Sequence, residues 1–99
     1  MTTIDLNQVK EELENGTACL IDVREKEEWD QNRLQHAKFI PLSQIEEKGI
    51  PLDLPKNQTI YIHCMKGGRA QFAAELFKST YDNVVPLKQT FNELKQASL

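Results

Sequence analysis

Apolar and polar positions divide the chain into alternating helical and extended stretches. Leu6, Val9 and Leu13 recur at helical spacing after Asp5, with Asp5 and Gln8 placed as a capping box and Gly16 as a stop, so a helix is predicted near residues 5–15. Cys19-Leu20-Ile21-Asp22-Val23 is a short apolar run of the kind a doubly covered strand requires. A short polar helix is expected over 25–32, a brief strand at Lys38-Phe39-Ile40, and one helical turn over 43–47 before the loop from Pro51 to Pro55. Thr59-Ile60-Tyr61-Ile62-His63 reads most clearly as a strand. From Arg69, residues Ala70, Ala73, Ala74, Phe77 and Tyr81 form a broad apolar helical face. Val84-Val85 is a further strand, and Phe91, Leu94 and Ala97 mark a last helix. Alternation of this kind implies an α/β fold with a mainly parallel sheet, helices on both faces and ligands at the carboxyl ends of strands.

With 99 residues, 39% hydrophobic and 27% charged, the expectation is one globular domain over 1–99 without repeats or linkers. No apolar stretch is long enough to span a bilayer, and Met1-Thr2-Thr3-Ile4-Asp5 lacks the basic and apolar segments of an export signal. A cytoplasmic protein with no membrane partner is expected. The two cysteines, Cys19 and Cys64, have no Cys-x-x-Cys spacing, so neither a disulfide framework nor a zinc ribbon is expected.

Charge is unevenly distributed. Residues 1–55 carry 12 acidic and 6 basic side chains, whereas residues 56–99 carry 3 and 6. Lys56, Lys66 and Arg69 lie in a stretch with no acidic residue between Asp53 and Glu75. That is too little for a nucleic-acid footprint and enough for one small anion.

Cys64-Met65-Lys66-Gly67-Gly68-Arg69 joins the clearest strand to the helix with the broad apolar face. Loop amides and the helix amino end can converge there on the Cys64 sulfur and, with Lys66 and Arg69, favour its thiolate, the attacking form. Gly67 and Gly68 are both expected to use positive φ values to curl the backbone around it. The bland alternative for Cys64 is a small buried hydrophobe, which its place before two glycines disfavours. Arg69 is expected both to fix the loop by an ion pair and to favour an anion there, and Lys66 is either a solvated surface lysine or a substrate contact. One of Tyr61 and His63 is expected to be a satisfied core group. Cys19 is read as inert core, Trp29 as packing and His36 as a surface residue without metal partners.

These residues resemble the rhodanese family of sulfurtransferases, specifically its single-domain members. The family loop Cys-x-x-Gly-x-Arg is matched by Cys64 to Arg69, and Asp-Val-Arg-x-x-x-Glu with a following aromatic by Asp22-Val23-Arg24-Glu25-Lys26-Glu27-Glu28-Trp29. A third signature is met in part by Asn32-Arg33-Leu34-Gln35-His36-Ala37, with Ile40-Pro41-Leu42 intact. The resemblance implies a rhodanese-like three-layer fold with a five-stranded sheet. It implies sulfur transfer from thiosulfate or a similar anionic donor through a Cys64 persulfide to a thiol or cyanide-like acceptor, without cofactor or metal. Met65, Lys66, Gly67, Gly68 and Arg69 would form the substrate loop, supported by Asp22, Arg24 and Glu28. A persulfide carrier loaded by a partner protein is the main rival, and a non-catalytic regulatory domain a weaker one. Phosphatases and arsenate reductases use a loop one residue longer before the arginine and fit less well.

Overall fold

The computed structural model describes residues 4–99. Residues 1–3, part of the stretch read above for an export signal, lie outside the described residues. The element order is α1 (Leu6–Asn15), β1 (Ala18–Asp22), α2 (Lys26–Gln31), β2 (Ala37–Phe39), α3 (Leu42–Lys48), β3 (Thr59–His63), α4 (Gly68–Phe77), β4 (Val84–Pro86) and α5 (Phe91–Gln96). All strand pairings are parallel, in the order β2-β1-β3-β4. The sheet thus has four strands among the described residues, not five. The apolar pattern itself offers only four extended runs, and the fifth came from the family resemblance.

Residues alternate between the two faces of the sheet because successive strand side chains point oppositely. Ile21, Ile60 and Ile62 pack with Ile45 of α3 and with Ala70, Ala73, Ala74 and Phe77 of α4. On the other face, Leu20 and Tyr61 pack with Val9 of α1 and with Phe91 and Leu94 of α5. The alanines let α4 lie close to β3, which fixes where its first turn meets the end of that strand. The central strands β1 and β3 end in register, Asp22 opposite His63, and Val23 N–H extends the ladder by donating to the His63 carbonyl.

Local departures from the sequence reading have simple causes. Asp5 caps α1 by accepting from Asn7 N–H at 2.9 Å, while Gln8 reaches forward to Glu12 and completes no capping box. Capping boxes form instead at α2, where Glu25 and Glu28 bond reciprocally to each other's backbone, and at α5, where Thr90 and Glu93 do the same. Strands β1 and β2 each sit one residue earlier than expected, and α3 runs seven residues instead of one turn. Tyr81 lies beyond α4, and its hydroxyl donates to the Pro51 carbonyl at 2.6 Å and accepts from Leu54 N–H at 3.2 Å. It therefore pins the loop between α3 and β3. No helix among the described residues is long and apolar enough to cross a membrane.

Candidate active site

Cys64 directly follows β3 and is almost wholly buried, with 1% exposure. Its Sγ accepts from Gly67 N–H at 3.0 Å and from Ala70 N–H at 3.4 Å, so loop and helix each supply one donor. Gly67 stands in the left-handed region at φ +100°, and a Cβ there would lie 3.2 Å from the Lys88 carbonyl oxygen. Only glycine fits both the backbone angle and the space. Gly68, in contrast, is an ordinary helical residue with open space around it, correcting the expectation of two positive φ values. The sulfur lies at the foot of a cleft of about 330 Å³ lined by Cys64, Met65, Lys66, Gly68 and Arg69.

Arg69 crosses to α2, donating to both Glu28 oxygens at 2.7 and 3.0 Å. The guanidinium holds the Glu28 carboxyl at about 2, far below the usual range. The Arg69 charge is thereby matched within the protein, leaving exposed Lys66 as the loop cation that faces solvent without such a partner in the cleft wall. The sequence assigned attraction of the anion to both residues. Arg69 thus ties the loop to α2, and Lys66 stands exposed in the cleft wall.

Asp22 and Arg24 are brought beneath this arrangement at the end of β1. Arg24 is 1% exposed, and its Nε and Nη2 bond to the Asp22 carboxylate at 2.8–3.1 Å. Nη2 also donates to the Asn32 carbonyl at 2.7 Å, and the guanidinium lies 4.3 Å above the Phe91 ring. The pair therefore joins β1, the end of α2 and α5. Its side chains make no direct hydrogen bond to the cysteine loop.

His63 is fully buried with both ring nitrogens unpartnered, 3.6 Å from the Asp22 carboxylate. Tyr61, two residues earlier, is the satisfied group, donating to Glu12 at 2.6 Å. Burial pushes the His63 pKa down, against the upward pull of Asp22. Cys19 is half-buried instead of deep core, and burial pushes its thiol pKa up. Trp29 stacks on Phe39 at 5.0 Å with Arg33 over its ring. His36 is half-buried and lies against the Leu99 carbonyl at 3.0 Å instead of facing solvent as a simple surface residue.

A second cleft, of about 320 Å³, adjoins the first across Met65 and the Arg69–Glu28 pair. Phe91 and Asn92 of α5 face Gln31 and Asn32 across it, with Arg24 and Glu28 also in its walls. Sequence reading missed this cleft because its walls come from segments sixty residues apart with no chemical motif.

The model for the rhodanese-like domain matches residues 5–97. The chain belongs to the rhodanese-like family. It is 32% identical over 88 residues to the putative sulfur carrier protein YrkF of Bacillus subtilis, covering 84% of this chain and 46% of that protein. It is also 32% identical over 89 residues to the probable adenylyltransferase/sulfurtransferase MoeZ of Mycobacterium tuberculosis, covering 88% of this chain and 23% of that one. The chain thus spans about half or less of these curated relatives. The single-domain sulfurtransferase RDL2 of Saccharomyces cerevisiae superimposes with a TM-score of 0.75 at 25% identity, covering 97% of this chain and 94% of that one. The fold is rhodanese-like, and proteins named as sulfurtransferases and as a putative sulfur carrier are among its relatives.

Two outcomes follow from this geometry. Gly67→Ala should destabilise the protein by about 1–2 kcal/mol in urea denaturation, from the left-handed backbone alone, and slow alkylation of Cys64 as the loop shifts from Lys88. Wild-type stability and unchanged alkylation would remove the close-approach argument. Separately, His63 has a folded pKa below its unfolded value near 6.5, so its stabilising contribution is complete above that value and lost as pH falls toward the folded pKa. Stability should drop between pH 7.5 and 5.5 with a slope of at most about 1.4 kcal/mol per pH unit. His63→Leu should flatten that slope, and an equal slope in both proteins would assign it to other groups.

Proposed function

We propose that this domain transfers a sulfane sulfur through a persulfide on Cys64. The observation that carries the reading is the pair of amide donors on a buried Sγ that opens onto a cleft bearing Lys66. The Cys64 thiolate attacks the outer sulfur of thiosulfate, the donor's S–S bond breaks, and sulfite leaves with the bonding pair. Negative charge then rests on the new outer sulfur of Cys64–S–S⁻. Donors already oriented toward the sulfur stabilise that charge without reorganising, which is ordinarily a large part of catalysis. Lys66 draws the dianionic donor to the mouth, while Arg69, tied to Glu28, holds the loop in shape.

A cyanide-like or thiol acceptor then removes the outer sulfur and restores Cys64. Thiolate chemistry of this kind suits the reducing cytoplasm, where we place the protein. A carrier role, with Cys64 loaded by a partner protein, is the second reading, favoured by the similarity to a protein named as a putative sulfur carrier.

The test is intact mass after incubating reduced protein with thiosulfate. Wild type and Cys19→Ser should each gain one sulfur atom that cyanide removes, and Cys64→Ser should gain none. Loading of Cys64→Ser would overturn the assignment. Loading of wild type only by a persulfide-bearing protein donor would replace the thiosulfate reaction with the carrier reading.

A further inference from the structure

We propose that His63 is a pH-sensitive positioning residue for the Cys64 loop. Neutral, it leaves the Asp22 carboxylate to Arg24; protonated, it takes a share of that carboxylate and frees Arg24 from the end of α2. The inference deepens the sulfur-transfer reading above, since the loop it controls bears the nucleophile.

His63 ends β3 with no exposure and no hydrogen-bond partner for either ring nitrogen. An orphaned buried imidazole costs free energy, and one beside a carboxylate gains a partner once it is charged. Its Nε2 lies 3.6 Å from Asp22 Oδ2, just beyond hydrogen-bond reach. That oxygen already accepts from Arg24 Nε at 3.0 Å and Nη2 at 2.8 Å. A third donor, bringing a second positive charge, displaces one of these two. With His63 neutral, the buried group balances one carboxylate against one guanidinium; with His63 charged, it holds one positive charge in excess.

The other charged groups around the ring are committed elsewhere. Glu12 of α1 accepts from the Tyr61 hydroxyl and Glu93 of α5 from Thr90 N–H, while Lys95 of α5 donates to the Arg33 carbonyl. Lys88, before α5, is exposed, β4 carries no charged side chain, and α5 turns the Phe91 ring toward the imidazole at 6.3 Å. The excess charge is therefore relieved through Arg24, the one of the three buried groups that lines the second cleft.

Arg24 anchors the end of α2 by its 2.7 Å bond to the Asn32 carbonyl, and its charge already bears on Glu28. Turned away from Asp22, it competes with Arg69 for the Glu28 carboxylate. The path to the loop thus runs from His63 through Asp22, Arg24 and Glu28 to Arg69, although His63 and Cys64 face opposite sides of the sheet. Burial and Arg24 push the His63 pKa down while Asp22 pulls it up, so the folded protein takes up this proton below pH 6.5.

The test follows folded Cys19→Ser protein between about pH 8 and 4.5 by NMR, with iodoacetamide alkylation of Cys64 in parallel. As the His63 ring protonates, the Arg24 and Arg69 Nε–H resonances should move with the same midpoint. A thiol alone loses rate about tenfold per pH unit below its own pKa. Below the His63 midpoint the loss should steepen to about a hundredfold per unit, as Sγ loses its amide donors along with its thiolate. Adding His63→Leu, or His63→Gln if the first folds poorly, should keep the tenfold slope throughout. An Arg24 resonance that ignores the His63 titration, equal slopes with and without His63, or unfolding before the ring titrates would overturn the switch. The steeper slope in a protein that thiosulfate and a persulfide-bearing donor never load would overturn the function and leave the switch standing.

Discussion

The structure depends on holding one buried sulfur at the end of a parallel strand under amides that point at it. Three separate constraints meet at that point. Strand β3 delivers Cys64 to the carboxyl edge of the sheet, where open α/β folds place their ligands. Gly67 turns the chain back through the left-handed region with no room for a side chain against Lys88. The small face of α4 then seats the helix close to β3, so that Ala70 N–H reaches the same sulfur as Gly67 N–H. Arg69 locks the result by a two-pronged bond to Glu28 on α2.

The two ion pairs at this edge do different physical work. Asp22 and Arg24 are desolvated together, and their mutual bonds, the Asn32 carbonyl and the Phe91 ring offset that cost. Such a pair contributes little net stability while intact, yet removing one partner strands a buried charge, typically at about 3–5 kcal/mol. Arg69 and Glu28 are about one-third exposed, so solvent screens them and their value is orientation more than energy. Between them lies the second cleft, whose walls carry charge only in neutralised form.

The strand–loop–helix unit around Cys64 was legible because local chemistry dictates it, whereas Asp22 and Arg24 were singled out only through the family signature. An apolar run followed by cysteine, two glycines and a helical face admits few arrangements. Less legible were features set by tertiary approach. The composition of the loop treats Gly67 and Gly68 alike, and the left-handed backbone and the Lys88 approach at Gly67 distinguish them. An ion pair that fixes the loop is legible for Arg69, but its partner, Glu28, lies forty-one residues away and only the tertiary approach names it. Alternation could not say which of Tyr61 and His63 is the satisfied core group, and His63 is the one buried without a hydrogen-bond partner for either nitrogen. The cleft between α2 and α5 follows from packing and has no motif.

The most direct test of the central claim is the backbone amide spectrum of the ¹⁵N-labelled protein, recorded reduced, after sulfur loading and after cyanide. If the charge on the Cys64 sulfur is held by loop and helix donors, the Gly67 and Ala70 resonances move on loading and return when cyanide removes the sulfur. Loading confirmed by mass, with both resonances unmoved, would contradict it.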